Sequence, residues 1–217
     1  MRIFIVGGHG KVAMILAPLL TASGHRVTSL IRNVDHIAEV AATGATPVVA
    51  DLEQLDVEGL AEQIAGHDAV VWTAGAGGAD PTRTGAIDRD AAIRSMDAAV
   101  AAGVRRYLMV SYFGAGPHHG VAPESSFFAY AEAKSAADAH LAASDLDWTI
   151  VAPSGLTSEP GTGTVEVGDG LAASQVSRAD VARVIVAVLD RPATAGSTIA
   201  FNSGSTPIED AVTGYER

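Results

Sequence analysis

The chain of 217 residues contains no cysteine. That excludes disulfides, thiolate metal sites and cysteine nucleophiles, although it does not name a compartment. Positive charge is scarce as well: 14 Lys and Arg stand against 25 Asp and Glu, a formal net charge of −11. Nucleic acid and anionic membranes are poor partners for such a chain, because a phosphate-binding face needs clustered Lys and Arg. The acid excess reads as a solvated surface. No apolar run approaches the length that spans a bilayer. The opening apolar stretch is four residues long and ends in glycine, unlike a secretory signal, and the expectation is a cytoplasmic protein. No repeat of solenoid period occurs. Aromatic residues are only 5%, yet hydrophobic residues reach 48%, enough to build a substantial core and to argue against disorder.

What is present is an alternation of apolar β-rich runs and helical stretches. The first run, Arg2–Val6, leads into Gly7-Gly8-His9-Gly10-Lys11-Val12-Ala13, and a helix is expected from Lys11 to Thr21. Glycines at this point allow a tight turn and let backbone approach a pyrophosphate, while the helix start presents free N–H groups and a favourable dipole. Ala13 supplies the small residue that permits close helix–strand packing. Further strands read at Arg26–Ile31, Thr46–Ala50, Ala69–Thr73, Tyr107–Ser111, Trp148–Val151, Thr164–Val167 and Thr198–Phe201. Helices begin near Asn33, Asp56, Ile87 and Ser126. Gly24, Gly44, Gly66 and Gly103 end helices before strands. Ser177 caps a helix running to Leu189, with Asp180 in its first turn. The residues after Phe201 read as a polar tail. The expected architecture is α/β, a Rossmann-type doubly wound parallel sheet in one domain of residues 1–217. A small substrate or lid lobe is expected over about 153–217.

Candidate ligand residues cluster at the carboxyl ends of these strands. Gly7, His9, Gly10, Lys11 and Val12 form the glycine turn. Arg32 and Asn33 follow the second strand, where an acidic residue would bind ribose hydroxyls and an arginine accommodates a 2′-phosphate. Asp35 comes three residues late. This favours NADP(H), with NAD(H) as the lesser cofactor. Asp51 and Leu52, after the third strand, suit an adenine amino group. Ala74-Gly75-Ala76-Gly77-Gly78, after the fourth, lets backbone pass beside ribose and pyrophosphate. Ser111 ends the fifth and can polarise a substrate carbonyl, with Tyr112 beside it. Tyr130 and Lys134 stand at i and i+4 on one helix face, a spacing that can lower the phenol's pKa and make it a general acid. His118 and His119 read as loop residues near the substrate, without an acidic partner and without a metal.

In order and at these separations, the segments resemble the short-chain dehydrogenase/reductase superfamily. The closer likeness is to its atypical NAD(P)-binding branch of flavin and biliverdin-type reductases and NmrA-like proteins, related to the NAD-dependent epimerase/dehydratases. The resemblance also rests on Asp88-Arg89-Asp90, on Asp147 to Leu156 and on Ser177-Arg178-Ala179-Asp180-Val181-Ala182, and it covers nearly the whole chain. It implies Tyr130 as general acid, Lys134 on the ribose hydroxyls, and Pro153 to Leu156 along the nicotinamide. Two positions depart from the pattern: Ala152 stands where an arginine is usual, and Tyr112 where a second serine is.

Two functions of different class follow. One is an NADPH-dependent oxidoreductase of a small or flat substrate such as a quinone, flavin or carbonyl compound. The other is a sensor or scaffold that binds NADP(H) without turnover. A nucleotide-sugar epimerase or dehydratase needs a larger carboxyl-terminal domain than this chain offers.

Overall fold

A computed structural model describes residues 1–77, 80–168 and 170–216. Gly78, singled out above, lies outside them, as do Asp169 and Arg217 of the expected lobe. Seven parallel strands form the body of one sheet in the order β3-β2-β1-β4-β5-β6-β10, and its far edge is extended by β8, antiparallel to β10, and then by β11, antiparallel to β8. The strands are β1 (Arg2–Val6), β2 (Arg26–Ile31), β3 (Thr46–Val49), β4 (Ala69–Trp72), β5 (Arg106–Val110), β6 (Asp147–Pro153), β8 (Thr164–Val167), β10 (Ser197–Ser203) and β11 (Thr206–Pro207). Two short strands, β7 (Gly155–Thr157) and β9 (Gln175–Ser177), pair with each other in a separate small sheet. The doubly wound parallel sheet is therefore present.

The pleat of β1 explains why helices cover both faces. Ile3 and Ile5 belong to one buried cluster, with Leu16 and Leu20 of helix α1 (Ala13–Ala22) and Val181 and Ile185 of α7 (Arg178–Leu189). Phe4 and Val6 belong to the other, with Leu60 of α3 (Val57–Ile64), Met96 of α5 (Ala92–Ala101) and Leu141 of α6 (Phe128–Ala142). Successive side chains of a strand point to opposite faces, so an unbroken apolar run buries both. The chain reverses direction of travel between β1 and β4. In open α/β sheets the crevice outside the carboxyl ends of strands at such a switch point is where ligands bind.

Three expectations need correction. The helix expected to start near Ile87 begins with α4 (Pro81–Thr84), passes through a π-helical stretch, Gly85–Ala91, and continues as α5. Asp80 caps this start by accepting from the Thr82 N–H at 2.9 Å, with Pro81 in the first turn. The residues read as a polar tail hold β11 and helix α8 (Ile208–Thr213), whose Ile208, Ala211 and Val212 are buried against α7. The stretch after Pro153 carries β7 as well as β8. Two further features were expected and are found. Ser177 accepts from the Asp180 N–H at 2.9 Å, and Gly24, Gly44, Gly66 and Gly103 all adopt positive φ.

Candidate functional site

A cleft of about 1180 Å³ lies along the carboxyl ends of the parallel strands. Its floor is the turn after β1. Gly7 has φ +87°, and a Cβ there would come within 2.5 Å of the Ala74 Cα, so the turn packs backbone to backbone against the loop after β4. The N–H of Gly10 donates to the Gly7 carbonyl at 2.9 Å and closes the turn. Gly10 has an ordinary φ, and a Cβ on it would lie 3.1 Å from the Gly7 oxygen. A side chain at Gly10 would therefore press on the backbone of the turn itself. The N–H groups of Met14 and Ile15 in the first turn of α1 donate to the Gly10 and Val12 carbonyls at 2.9 and 3.1 Å, which ties the helix start to the turn. His9, Lys11 and Val12 line the cleft beside it.

At the β2 end, Arg32 and Asn33 are exposed on the cleft wall, with His36 next to them. The Asn33 side chain accepts from the Asp35 N–H at 3.0 Å and starts a 3-10 turn, Val34–His36. Asp51 and Leu52 line the cleft after β3; Asp51 caps its own turn by accepting from the Glu53 N–H at 3.0 Å. Ala74 and Gly75 line it after β4, whereas Ala76 turns its N–H to Asp88 at 3.1 Å. Pro153 and Leu156 line the opposite end with Ser154. The fold thus brings residues spread from Gly7 to Leu156 onto one surface. Ala76 and Lys134, both expected there, are not among the residues lining it.

The β5 end is where the structure departs most from the expectation. Lys134 is buried, and its ammonium donates to the Val110 carbonyl at 2.8 Å and contacts the Met109 Sδ at 3.0 Å. Burial lowers its pKa against the pull of Asp138 and Asp88. The Tyr130 phenol is not lowered but raised, by burial first and by the carboxylates of Asp88 and Asp138 second. The i, i+4 spacing is thus outweighed by burial and, after it, by two acids, Asp88 of the π-helical stretch and Asp138 of the same helix. Ser111 is buried at the cleft edge and donates its hydroxyl to Asp138. Asp88, in the π-helical stretch, and Asp138, on α6, are both raised by burial. Neither carboxylate was singled out as a functional residue from sequence, because each acts through elements distant in the chain.

The wall facing this cluster is aromatic. Tyr112 packs on Phe127 and Tyr130 with ring centroids 5.1 and 5.6 Å apart, and Phe127 packs on Tyr130 at 5.1 Å. All three line the cleft. Flat rings with only part of their faces covered suit a flat partner. His118 is exposed. His119 does have an acidic partner, contrary to the reading from sequence: its Nδ1 accepts from the Val121 N–H at 3.1 Å, which leaves Nε2 to donate to Glu132 at 2.7 Å. Glu132 stands on α6, thirteen residues away, so the pair could not be seen locally. Among the described residues no His, Asp and Glu gather into a metal-binding group, and no helix is long and apolar enough to cross a membrane.

Comparison with known proteins agrees with this geometry. The model of an NAD(P)H-binding family matches residues 7–192. A Bacillus subtilis protein, named as the uncharacterized sugar epimerase YhfK, is 36% identical over 98% of this chain and 99% of its own. A Bacillus halodurans structure titled for an NAD-dependent epimerase/dehydratase superposes with a TM-score of 0.91 at 35% identity, over 99% of both chains. The Lactococcus lactis oxidoreductase ylbE superposes with a TM-score of 0.88 at 29% identity, over 99% of this chain and 96% of that one.

Proposed function

Because the chain belongs to the NAD(P)H-binding family, we propose that it is an NADP(H)-dependent reductase of a small, flat substrate. The observation that carries this reading is one continuous cleft with exposed Arg32 at one end and the Tyr112–Phe127–Tyr130 wall at the other. The residues present fit a dinucleotide. The turn from Gly7 to Val12 with the start of α1 would hold the pyrophosphate. Asp51 and Leu52 would take the adenine, Arg32 with Asn33 the 2′-phosphate, and Ala74 with Gly75 the ribose side. Pro153 and Leu156 would flank the nicotinamide. When bound, the reduced cofactor supplies a hydride.

The chain's own residues then manage the proton. Tyr130 keeps its proton throughout the neutral range, since burial and two carboxylates oppose the phenolate. It is a donor in place for an oxygen that gains negative charge. Lys134 lies beneath this surface and fixes the end of β5 through the Val110 carbonyl. Its ammonium offsets charge on the two buried carboxylates. Ser111 is the second hydroxyl at the edge and orients substrate.

A second reading, a sensor that binds the cofactor without turnover, draws on the inward engagement of Ser111 with Asp138 and of Lys134 with Val110. One experiment separates the two. The protein is mixed with NADPH and a panel of quinones, flavins and aldehydes, and loss of the reduced cofactor's absorbance is followed. Turnover with any of them supports the reductase; tight NADPH binding with none supports the sensor.

A further inference from the structure

One pair of side chains at the β2 end is left unused by this account. His9, in the glycine turn, and His36, in the 3-10 turn after Arg32, stack face to face with ring centroids 3.5 Å apart and planes 15° apart. His9 Nε2 lies 2.8 Å from the Glu39 carboxylate on helix α2 (Ile37–Ala42), and that contact holds Glu39 below its ordinary range. Both imidazoles line the cleft together with Arg32 and Lys11. Asp35 is the other ionisable group of this turn, and Asn33 engages its backbone.

We infer that the stacked His9–His36 pair is the specificity-determining partner of Arg32, taking up a proton when a 2′-phosphate binds beside it. The inference rests on the reading that this end of the cleft receives that phosphate. Two imidazolium rings in face-to-face contact repel each other strongly. Glu39 offers compensation for one positive charge, on His9. Among the described residues the carboxylate bonded to this pair is Glu39, on His9, so two charged rings would have to share it beside Arg32 and Lys11. A phosphate carrying close to two negative charges supplies the further compensation. Binding of NADP(H) is then coupled to protonation of the pair, and binding of NAD(H), which lacks the phosphate, is not.

The sign follows from linkage. A bound anion favours the charged imidazoles over the neutral ones, so NADPH affinity should fall as pH rises. The phosphate's own second ionisation, near pH 6, acts the other way, by releasing a proton on binding to cations. Net proton uptake therefore reports the histidines and not the ligand.

The test uses calorimetric titration of the intact protein with NADPH and with NADH, from about pH 6 to pH 8.5, in buffers of differing ionisation enthalpy. The expected result is uptake of up to one proton for NADPH near neutrality and none for NADH. The ratio of the two affinities should fall about ten-fold across that range. His36→Asn should abolish the uptake and flatten the ratio, and His9→Asn should do so in part, with thermal melts checking that both are folded. A wild-type preference for NADPH that is independent of pH, without proton uptake, overturns the inference and leaves Arg32 standing. Equal affinities for the two cofactors at every pH overturn both. A His36→Asn variant that weakens NADH and NADPH alike shows that the rings only pack against the adenosine, and also overturns it.

Discussion

At the β2 end of the cleft the charged groups, Arg32 and Lys11, stand in solvent, and at the β5 end Lys134, Asp138 and Asp88 are buried. The contrast separates two ways of using charge. An exposed arginine loses little by desolvation and meets its anion only when one arrives, so it acts on affinity and hardly on folding. A buried lysine between carboxylates is part of the core. Its charges shift each other, and any change there acts on the fold and the chemistry together. The cleft thus joins an adaptable recognition end to a preorganised end, with the glycine turn between them.

The sharpest way to break the comparison is at the turn itself. Gly10→Val should abolish binding of either cofactor, since a Cβ at Gly10 stands 3.1 Å from the Gly7 carbonyl oxygen and the branched side chain must push the turn out of shape, while the ordinary φ of Gly10 leaves the rest of the fold unstrained. Circular dichroism reports the fold and calorimetry the binding. Retained affinity in a folded variant would show that the turn serves only structure.

Next in size is Tyr130→Phe. With a carbonyl substrate found in the panel above, turnover should fall about 10²–10⁴-fold with NADPH affinity kept, the range of a lost general acid. Because burial and the two carboxylates raise this phenol, wild-type turnover should not decline as pH approaches 10, where an ordinary tyrosine ionises. A quinone or flavin that takes its proton from water would leave the variant nearly as active, and that outcome removes Tyr130 as the acid.

The smallest effect sharpens the other half of the contrast. In the folded chain burial holds the Asp138 carboxyl above the ordinary carboxylate range, so the folded state binds that proton more tightly than the unfolded chain. The stability tied to this group is full at low pH and is lost as pH rises through the folded value. Asp138→Asn, which still offers Ser111 an acceptor, should therefore gain stability relative to wild type on going from about pH 4 to pH 7 in urea unfolding. A constant difference across that range would show that the buried carboxyl is not shifted.

How much of this could be read from sequence follows from the range of each signal. The β1 strand, the glycine turn and Arg32 are local patterns, and the structure places them together as the spacing implied. The apolar runs of β4 and β5 likewise declared a sheet buried on both faces. Asp88 and Asp138 were opaque because their partners, Ala76 and Ser111, lie on other elements and meet them only through the fold. The Tyr130–Lys134 pair suggested the wrong direction of shift because spacing along one helix shows neither how deeply the phenol is buried nor that Asp88 packs beside it, although Asp138 follows Lys134 by one turn. Helix α8 did leave a trace, with apolar Ile208, Ala211 and Val212 behind acidic Glu209 and Asp210 in its first turn, but six residues give too short a period to stand out from a polar ending.

The account rests most heavily on the β2 end reading a phosphate, and fluorescence titration of NADPH and NADH against the wild type and Arg32→Ala tests it. A charge-assisted hydrogen bond contributes roughly 1.5–3 kcal/mol, so NADPH should bind the wild type at least about ten-fold more tightly than NADH. Arg32→Ala should remove most of that advantage with NADH affinity nearly unchanged. Equal affinities in the wild type, or tighter binding of NADH, would contradict the account.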